Sequence, residues 1–205
     1  MIYINGIKQP TITYSYYLNE TYNVVDLIWN NSIIYCYRMF YGCSDITEMD
    51  LSNFNTSLVT NMGDMFYNCY SLSSLNLSTF NTSLVTKMNH MFCNCYNLKY
   101  INLINFIETS SLYVYKIFYS VPDNIVICIN ESSKIILPEI KNKKCYTIDC
   151  SDNWKIKQKK IINKKGRCKD NNNNDILYKY EYEGRYYENC LKGNLKNTLI
   201  NNILY

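Results

Sequence analysis

The segment Asn-Thr-Ser-Leu-Val-Thr at residues 55–60 recurs without a change at residues 81–86, a step of 26 residues along the chain. The same step relates several columns of apolar residues on either side of this segment. Independent columns in one register indicate an internal repeat, because chance would not align them. The columns are Met39-Phe40, Met65-Phe66 and Met91-Phe92; Cys43, Cys69 and Cys95; Leu51, Leu77 and Leu103; and Phe54, Phe80 and Phe106.

Each repeat unit has two halves with different periodicities. Leu75 and Leu77 alternate with polar residues, which is typical of a short strand. Thr82 or Ser83 offers a helix N-cap, and the apolar residues from 85 to 95 follow at steps of three and four, which indicates a short helix. The repeat therefore predicts an α/β fold: a leucine-rich-repeat-like, right-handed solenoid with one parallel sheet and short helices on the other side. We expect the phenylalanine column to stack as an aromatic spine.

The repeat divides the chain into three regions. Residues 1–38 are predicted to form a strand-rich N-terminal cap, residues 39–140 hold the repeats and a degenerate last coil, and residues 141–205 form a basic, cysteine-containing tail. Stacked repeats need caps, because a terminal unit exposes one apolar side. Alternation over residues 178–190, with Glu183-Gly184 as a two-residue turn, predicts a small β-hairpin in the tail.

Charge is divided between the body and the tail. Residues 1–140 carry 6 Lys/Arg and 10 Asp/Glu, a net charge of −4, whereas residues 141–205 carry 15 and 7, a net charge of +8. The two regions therefore present different surfaces to a partner. The 22 tyrosines occur in a chain without any alanine, which indicates a codon bias, so their abundance alone carries no functional argument.

The ten cysteines favour secretion if they pair, because disulfides persist in oxidising compartments. The first residues, Met1 to Gly6, lack the charged and apolar regions of a secretory signal. No stretch approaches the roughly 20 apolar residues of a membrane-spanning helix. As written, the chain shows neither a signal nor an anchor, so we expect either that it is intracellular or that it is a fragment or lacks its natural start.

Residues 65–69, 72–83 and 85–88 closely resemble the repeats of BspA-type leucine-rich-repeat surface proteins. The resemblance covers about residues 24–130. The tail, from Lys144 to Trp154 and over 178–190, is similar to the cysteine-rich segment that follows the repeats in members from microbial eukaryotes. The resemblance implies an extracellular or surface-anchored protein that adheres to a protein or glycan ligand on a cell surface or matrix. It implies no catalytic residues and no cofactor.

Four tail cysteines, Cys145, Cys150, Cys168 and Cys190, are disulfide candidates, and they allow three pairings. Of these, we expect Cys145–Cys150 and Cys168–Cys190.

Three surfaces are candidates for binding or modification. Eight basic residues between 155 and 169 could contact a polyanion, although such a run is more often only solvated. Asn19 and Asn130 are the best candidates for glycosylation among the Asn-x-Ser/Thr sequons. The outward face of the predicted strands is the candidate ligand surface. Its residues are Glu48, Asp50, Ser52, Ser74, Asn76, Ser78, Tyr100 and Asn102, and the basic candidates are Lys155, Lys157, Lys159, Lys160, Lys164 and Lys165.

Enzyme chemistry finds little support in the sequence. His90, the only histidine, lies three residues before Cys93, so a thiolate–imidazole pair is conceivable. The equivalent positions are Asp64 and Arg38, however, and a variable polar column facing solvent explains His90 better. Cys93 and Cys95 have no second pair at zinc-binding spacing, and we predict no metal site. The first hypothesis is an adhesion or ligand-binding module; the alternatives are a structural spacer and, less favoured, an enzyme.

Overall fold

A computed structural model describes most of the chain up to residue 150 and the backbone of several short strands beyond it. The described residues are 1–11, 16, 18, 20–29, 32–123, 125–141, 145–148, 150, 167–169, 175–176, 180–182 and 185–187; of these, 145, 147 and all residues from 167 onward are described for their backbone alone.

Short strands make up three sheets. The N-terminal sheet is antiparallel and has the order β2-β1-β3, where β1 is Ile2–Ile4, β2 is Ile7–Lys8 and β3 is Val25–Leu27. The largest sheet has six strands in chain order, of which the first four are parallel and the last two are added antiparallel. Its strands are β4 (Ser74–Asn76), β5 (Tyr100–Asn102), β6 (Val126–Cys128), β7 (Cys145–Ile148), β8 (Arg167–Lys169) and β9 (Asp175–Ile176). Strands β10 (Tyr180–Tyr182) and β11 (Arg185–Tyr187) pair antiparallel, where the sequence predicts the hairpin.

Consecutive repeat units lie against each other with the 26-residue offset of the sequence. In the sheet, Leu75 of β4 faces Ile101 of β5, which faces Ile127 of β6. Outside the strands, backbone N–H groups of one turn segment donate to carbonyls of the same segment in the next unit; the N–H of Phe66, for example, donates to the carbonyl of Met91 at 2.9 Å. Each unit thus completes the hydrogen bonding of its neighbour and shares one apolar interior with it.

The predicted fold class, an α/β leucine-rich-repeat-like solenoid with helices opposite the sheet, is wrong. The described chain consists mostly of small sheets joined by turns, and α1 (Ile136–Lys141) is the only helix within these ranges. The segment expected to be helical, 85–95, donates hydrogen bonds three residues back and to the next unit, and His90 and Asn94 have φ of 53° and 62°. A φ in this left-handed region breaks a right-handed helix. Spacings of three and four residues fit successive tight turns as well as they fit a helix.

Two columns of phenylalanine rings run through the interior. The predicted spine is confirmed: Phe54 and Phe80 stack with ring centroids 5.7 Å apart, and Phe80 and Phe106 stack at 6.5 Å. The phenylalanines of the three Met-Phe pairs, together with Phe118 of the next unit, make a second column, with centroid separations of 5.5, 5.8 and 5.5 Å. Each such pair contributes about 0.5–1.5 kcal/mol beyond its buried area. The second column consists of Phe40, Phe66, Phe92 and Phe118.

Different structures close the two ends of this interior. At the N-terminal end the ring of Trp29 meets Phe54 edge-on, with centroids 5.3 Å apart. At the other end α1 buries Ile136, Leu137 and Ile140 in the common core. Helix α1 has six residues, and nowhere in the described ranges does a helix reach the length and hydropathy that crossing a bilayer requires.

Candidate functional site

The predicted ligand face on the strands is only partly open. Tyr100 is buried with Val126 and Cys128, and Ile104 packs against this cluster. Of the other candidates on this face, Glu48, Asp50, Ser52 and Asn76 are exposed, and Ser74, Ser78 and Asn102 are half-buried.

Three of these candidates also have a local structural role. Side-chain oxygens of Asp50, Asn76 and Asn102 accept hydrogen bonds of 2.9–3.1 Å from the backbone N–H two residues further along the chain. This bond holds the pKa of Asp50 below its ordinary value. Asp50 lies outside the strands, whereas Asn76 and Asn102 end β4 and β5. Replacing the three side chains would disturb the turns that follow them, whatever they bind. Binding on this face stays a prediction.

The turn segments on another side of the units carry a row of ionisable residues. Its members follow the 26-residue step, and all have φ between 53° and 59°. Arg38 Nε lies 3.0 Å from Asp64 Oδ2, and His90 Nδ1 lies 3.5 Å from Asp64 Oδ1. Asp64 is 6% exposed and is thus enclosed between a cation and an imidazole. Lys116 is the fourth residue of the row.

Tyrosine rings surround both cations at the ends of this row. The guanidinium of Arg38 lies 5.0 Å from the ring centroids of Tyr37 and Tyr41. Lys116 Nζ lies 5.2 Å from the centroid of Tyr115 and 5.0 Å from that of Tyr119. Both are cation–π distances.

Further ring contacts join the two ends into one surface. Tyr41 stacks on Tyr67 at 5.1 Å, Tyr67 meets His90 at 6.2 Å, and His90 meets Tyr115 at 5.5 Å. Tyr35 and Tyr113 extend the network through contacts of 5.9 and 6.2 Å with their tyrosine neighbours. We call this surface the tyrosine face. It consists of Tyr35, Tyr37, Arg38, Tyr41, Asp64, Tyr67, His90, Tyr113, Tyr115, Lys116 and Tyr119.

The sequence pattern alone does not predict this face, although its signal is present. Arg38, Asp64 and His90 align in one column of the sequence, and their chemical variety suggests only solvent exposure. A column also varies in residue type when its members contact each other in stacked units, as Arg38 and His90 contact Asp64. Tyr41 and Tyr67 are one step of 26 residues apart and Tyr119 lies two steps further, with Cys93 between, so extending the alignment of columns finds them.

The thiols of the repeats are not activated nucleophiles. Cys93 is 3% exposed, and burial raises its pKa. Burial also raises the pKa of Cys36 to about 11 and that of Cys69 to about 12. A nucleophilic cysteine needs the opposite shift, because the thiolate is the reactive form. Within the described ranges, no group of three or more His, Cys, Asp or Glu side chains is arranged to hold a metal ion.

The disulfide of the tail differs from the predicted pairing. Cys150 is bonded to Cys128, with Cα atoms 4.5 Å apart, so the predicted Cys145–Cys150 bond is wrong. The physical reason is the direction of β7, which begins at Cys145 and carries the chain roughly 10 Å away from it. Because β7 runs parallel to β6, the residue just beyond its end comes beside the end of β6, where Cys128 lies.

The structure describes the remaining predicted sites only in part. Asn130 is exposed, and its Oδ1 accepts hydrogen bonds from the backbone N–H and the hydroxyl of Ser132. Cys145 and Cys168 are described for their backbone alone. Asn19, Cys190 and the lysines Lys155, Lys157, Lys159, Lys160, Lys164 and Lys165 lie outside the described residues.

Comparison with known proteins gives one match. A family model with the description "Mycoplasma protein of unknown function, DUF285" matches residues 19–123. The matched segment is 105 of 205 residues and contains the whole tyrosine face. No curated protein and no solved structure matches the chain.

Proposed function

This chain belongs to the family described as Mycoplasma protein of unknown function, DUF285, and from that premise we propose that it is a non-catalytic binding module that binds a protein partner through the tyrosine face. The family description assigns no activity, so the proposal depends on the geometry of this face. The observation that carries it is the contact network of tyrosines and cations across successive units.

The composition of the face favours binding to a protein. Tyrosine and arginine are enriched among the residues that dominate binding energy in protein interfaces. Here Tyr35, Tyr41, Tyr113, Tyr115 and Tyr119 are 43–55% exposed, far more than core tyrosines would be. Their rings are already held by neighbouring rings and cations, so binding would immobilise few additional torsions.

The orientation of the rings favours a protein over a glycan. Tyr41 and Tyr67 are stacked on each other with an interplanar angle of 5°, and the ammonium of Lys116 lies over the rings of Tyr115 and Tyr119. A neighbour thus already occupies one face of each of these four rings, which leaves fewer faces on which a flat sugar ring could stack. The phenol hydroxyl is a polar group that can hydrogen-bond to a peptide backbone.

We place this activity outside the cell. Two observations support this part of the proposal: the Cys128–Cys150 disulfide, which would persist in an oxidising compartment, and the resemblance of the repeats to BspA-type surface proteins. An adhesion module would expose the tyrosine face to proteins of a matrix or of another cell.

Retention of the purified full chain on arrays of extracellular-matrix proteins and of glycans tests the proposal. We expect saturable retention on a protein spot, and the double variant Tyr115→Ser/Tyr119→Ser should weaken it at least about tenfold, as loss of the aromatic residues that dominate binding energy does in protein interfaces. The matched control is Leu58→Ser/Leu84→Ser, since these leucines are 49% exposed each and lie in other columns of the repeat.

Other results would reject the proposal in distinct ways. Equal loss of retention in both double variants would indicate non-specific adsorption. Retention only on glycan spots would show that the ligand is not a protein. A chain that unfolds cooperatively but is retained nowhere would fit a structural spacer. If binding survives the tyrosine changes but is lost at high salt, the basic tail is the binding region.

A further inference from the structure

The ten cysteines fall into three groups. Five, at positions 36, 43, 69, 93 and 95, are free thiols of the repeats, four of them buried. Cys128 and Cys150 are bonded to each other. The remaining three, Cys145, Cys168 and Cys190, all lie in the tail. Any second disulfide within the tail must therefore be drawn from these three.

The register of the sheet places two of the three opposite each other. Strands β7 and β8 are antiparallel, and Cys145 of β7 is paired with Cys168 of β8. Directly opposed residues of an antiparallel pair have Cα atoms about 4.5 or 5.5 Å apart, depending on whether they are hydrogen-bonded to each other. Both values fall in the range of about 4.4–6.8 Å that disulfides require. Opposed residues also belong to the same face of the sheet.

We propose that Cys145 and Cys168 form a second disulfide, which joins β7 to β8. The two thiols lose two protons and two electrons as the S–S bond forms. A small-molecule disulfide such as oxidised glutathione accepts them in two exchange steps: one thiolate displaces a thiol from the reagent, and the second thiolate then displaces the other. The products are the protein disulfide and two molecules of the reduced thiol.

The bond has a consequence for the basic segment. All six candidate lysines between Lys155 and Lys165 lie in sequence between Cys145 and Cys168, so the cross-link would close them into one loop. Together with Cys128–Cys150, which attaches the end of β7 to β6, it would fix three neighbouring strands of the sheet covalently. The tail would then be a cross-linked continuation of the sheet.

Peptide mapping of the oxidised full chain tests the pairing directly. Free thiols are first alkylated, and the chain is then cut with trypsin and an Asp-specific protease without reduction. Cleavage before Asp149 separates the fragment 145–148 from the fragment that contains Cys150. We expect the 145–148 fragment linked to the fragment 168–169. An alkylated Cys145, or a link from Cys145 or Cys168 to Cys190, would overturn the proposal.

Counting free thiols in denatured, unreduced monomer gives an independent readout. With both disulfides present, the wild type has six free thiols, ten minus four. Cys145→Ser should have seven, because one cysteine is removed and its partner is released. If Cys168 were bonded to Cys190 instead, Cys145→Ser would have five. Eight free thiols in the wild type would show that the second bond does not form.

Discussion

Single buried hydroxyl groups hold neighbouring units together. Thr82 is fully buried, and its Oγ1 donates to the carbonyl of Ile107 at 2.9 Å and accepts from the N–H of the same residue at 2.7 Å. Thr56 makes the same two bonds to Asn81, one unit earlier. The hydroxyl of each threonine therefore serves as the hydrogen-bond partner of both the N–H and the carbonyl of one residue in the next unit.

Thr82→Val should lower the free energy of unfolding by about 1–3 kcal/mol, because a methyl group keeps the volume of the buried side chain but removes both of its hydrogen bonds to the backbone of Ile107. Urea unfolding followed by circular dichroism measures the difference. Thr86→Val is the control, since Thr86 is exposed and its change should stay within about 0.5 kcal/mol. Equal losses for the two variants would contradict the role given to Thr82.

Glu108 lies at the position of the next unit that is equivalent to Thr56 and Thr82. Its longer side chain contacts the segment before α1 and the first residue of α1. Its carboxylate accepts hydrogen bonds from the hydroxyl of Ser133 and from the N–H groups of Lys134, Ile135 and Ile136, the last at 2.7 Å. Burial alone would raise the pKa of Glu108, but these hydrogen bonds outweigh it and hold the pKa below its ordinary value of 4.5. One residue thus connects the last repeat unit to the start of α1.

Glu108→Gln should destabilise the protein near neutral pH, because an amide group brings N–H donors toward backbone donors. The folded-state pKa of Glu108 is depressed, so its contribution is fully present above pH 4.5 and is lost as the pH falls below that value. The difference in unfolding free energy between wild type and variant should therefore shrink in acid. Glu131→Gln, at an exposed position, should show no such pH dependence. A difference that stays constant down to pH 3 would argue against this assignment.

At the scale of the element, the turn segments depend on residues that tolerate left-handed backbone. One column of positive φ contains Gly42, Asn68, Asn94 and Ser120. Glycine and asparagine visit this region readily, and serine does so less easily. Asn94 also donates to Asn68 Oδ1 at 2.8 Å, which adds a contact between units. The serine is therefore the least suited member of the column.

Ser120→Gly should stabilise the protein by up to about 1 kcal/mol, because glycine removes the strain of φ 58° while losing somewhat more chain entropy on folding. The midpoint of urea unfolding measures this gain. Ser111→Gly provides the matched comparison: Ser111 is exposed and lies outside the positive-φ positions of the described chain, so the same change should be destabilising. A stabilising Ser111→Gly would refute the conformational explanation.

These turns also explain how far sequence reasoning could go. The 26-residue period, the apolar columns and the stacking of Phe54, Phe80 and Phe106 were predictable, because burial imposes them whatever the local backbone. The local backbone was not predictable, since the apolar pattern from 85 to 95 is the same for helical turns and for tight turns bonded to the next unit. Interactions between neighbouring units, such as that of Arg38 with Asp64, could not be predicted either, because they depend on which side chains each turn presents to the next. The partner of Cys150 required the direction of β7.

For the whole molecule, the two ends of the repeats differ in how firmly they are closed. The C-terminal end has α1, the carboxylate of Glu108 and the Cys128–Cys150 disulfide. At the N-terminal end, the strands of the large sheet begin only at Ser74, and exposed apolar side chains include Trp29 and Ile34. Units that contact mainly their neighbours can open from an end without unfolding the rest. We therefore expect opening to start from the N-terminal end.

The free thiols report this order, because a buried thiol reacts with an alkylating reagent only when its unit opens. Pulsed labelling in water, with each cysteine quantified by mass spectrometry, should modify the buried Cys36 before Cys69, and Cys95 last. The raised pKa of Cys36, about 11, suppresses direct reaction in the folded state, so the rate reports opening and not intrinsic reactivity. Labelling in concentrated urea is the control, where all these thiols should react at similar rates. If Cys36 and Cys95 were labelled at one common rate in water, the units would open together, and the closure of the C-terminal end would confer no separate protection.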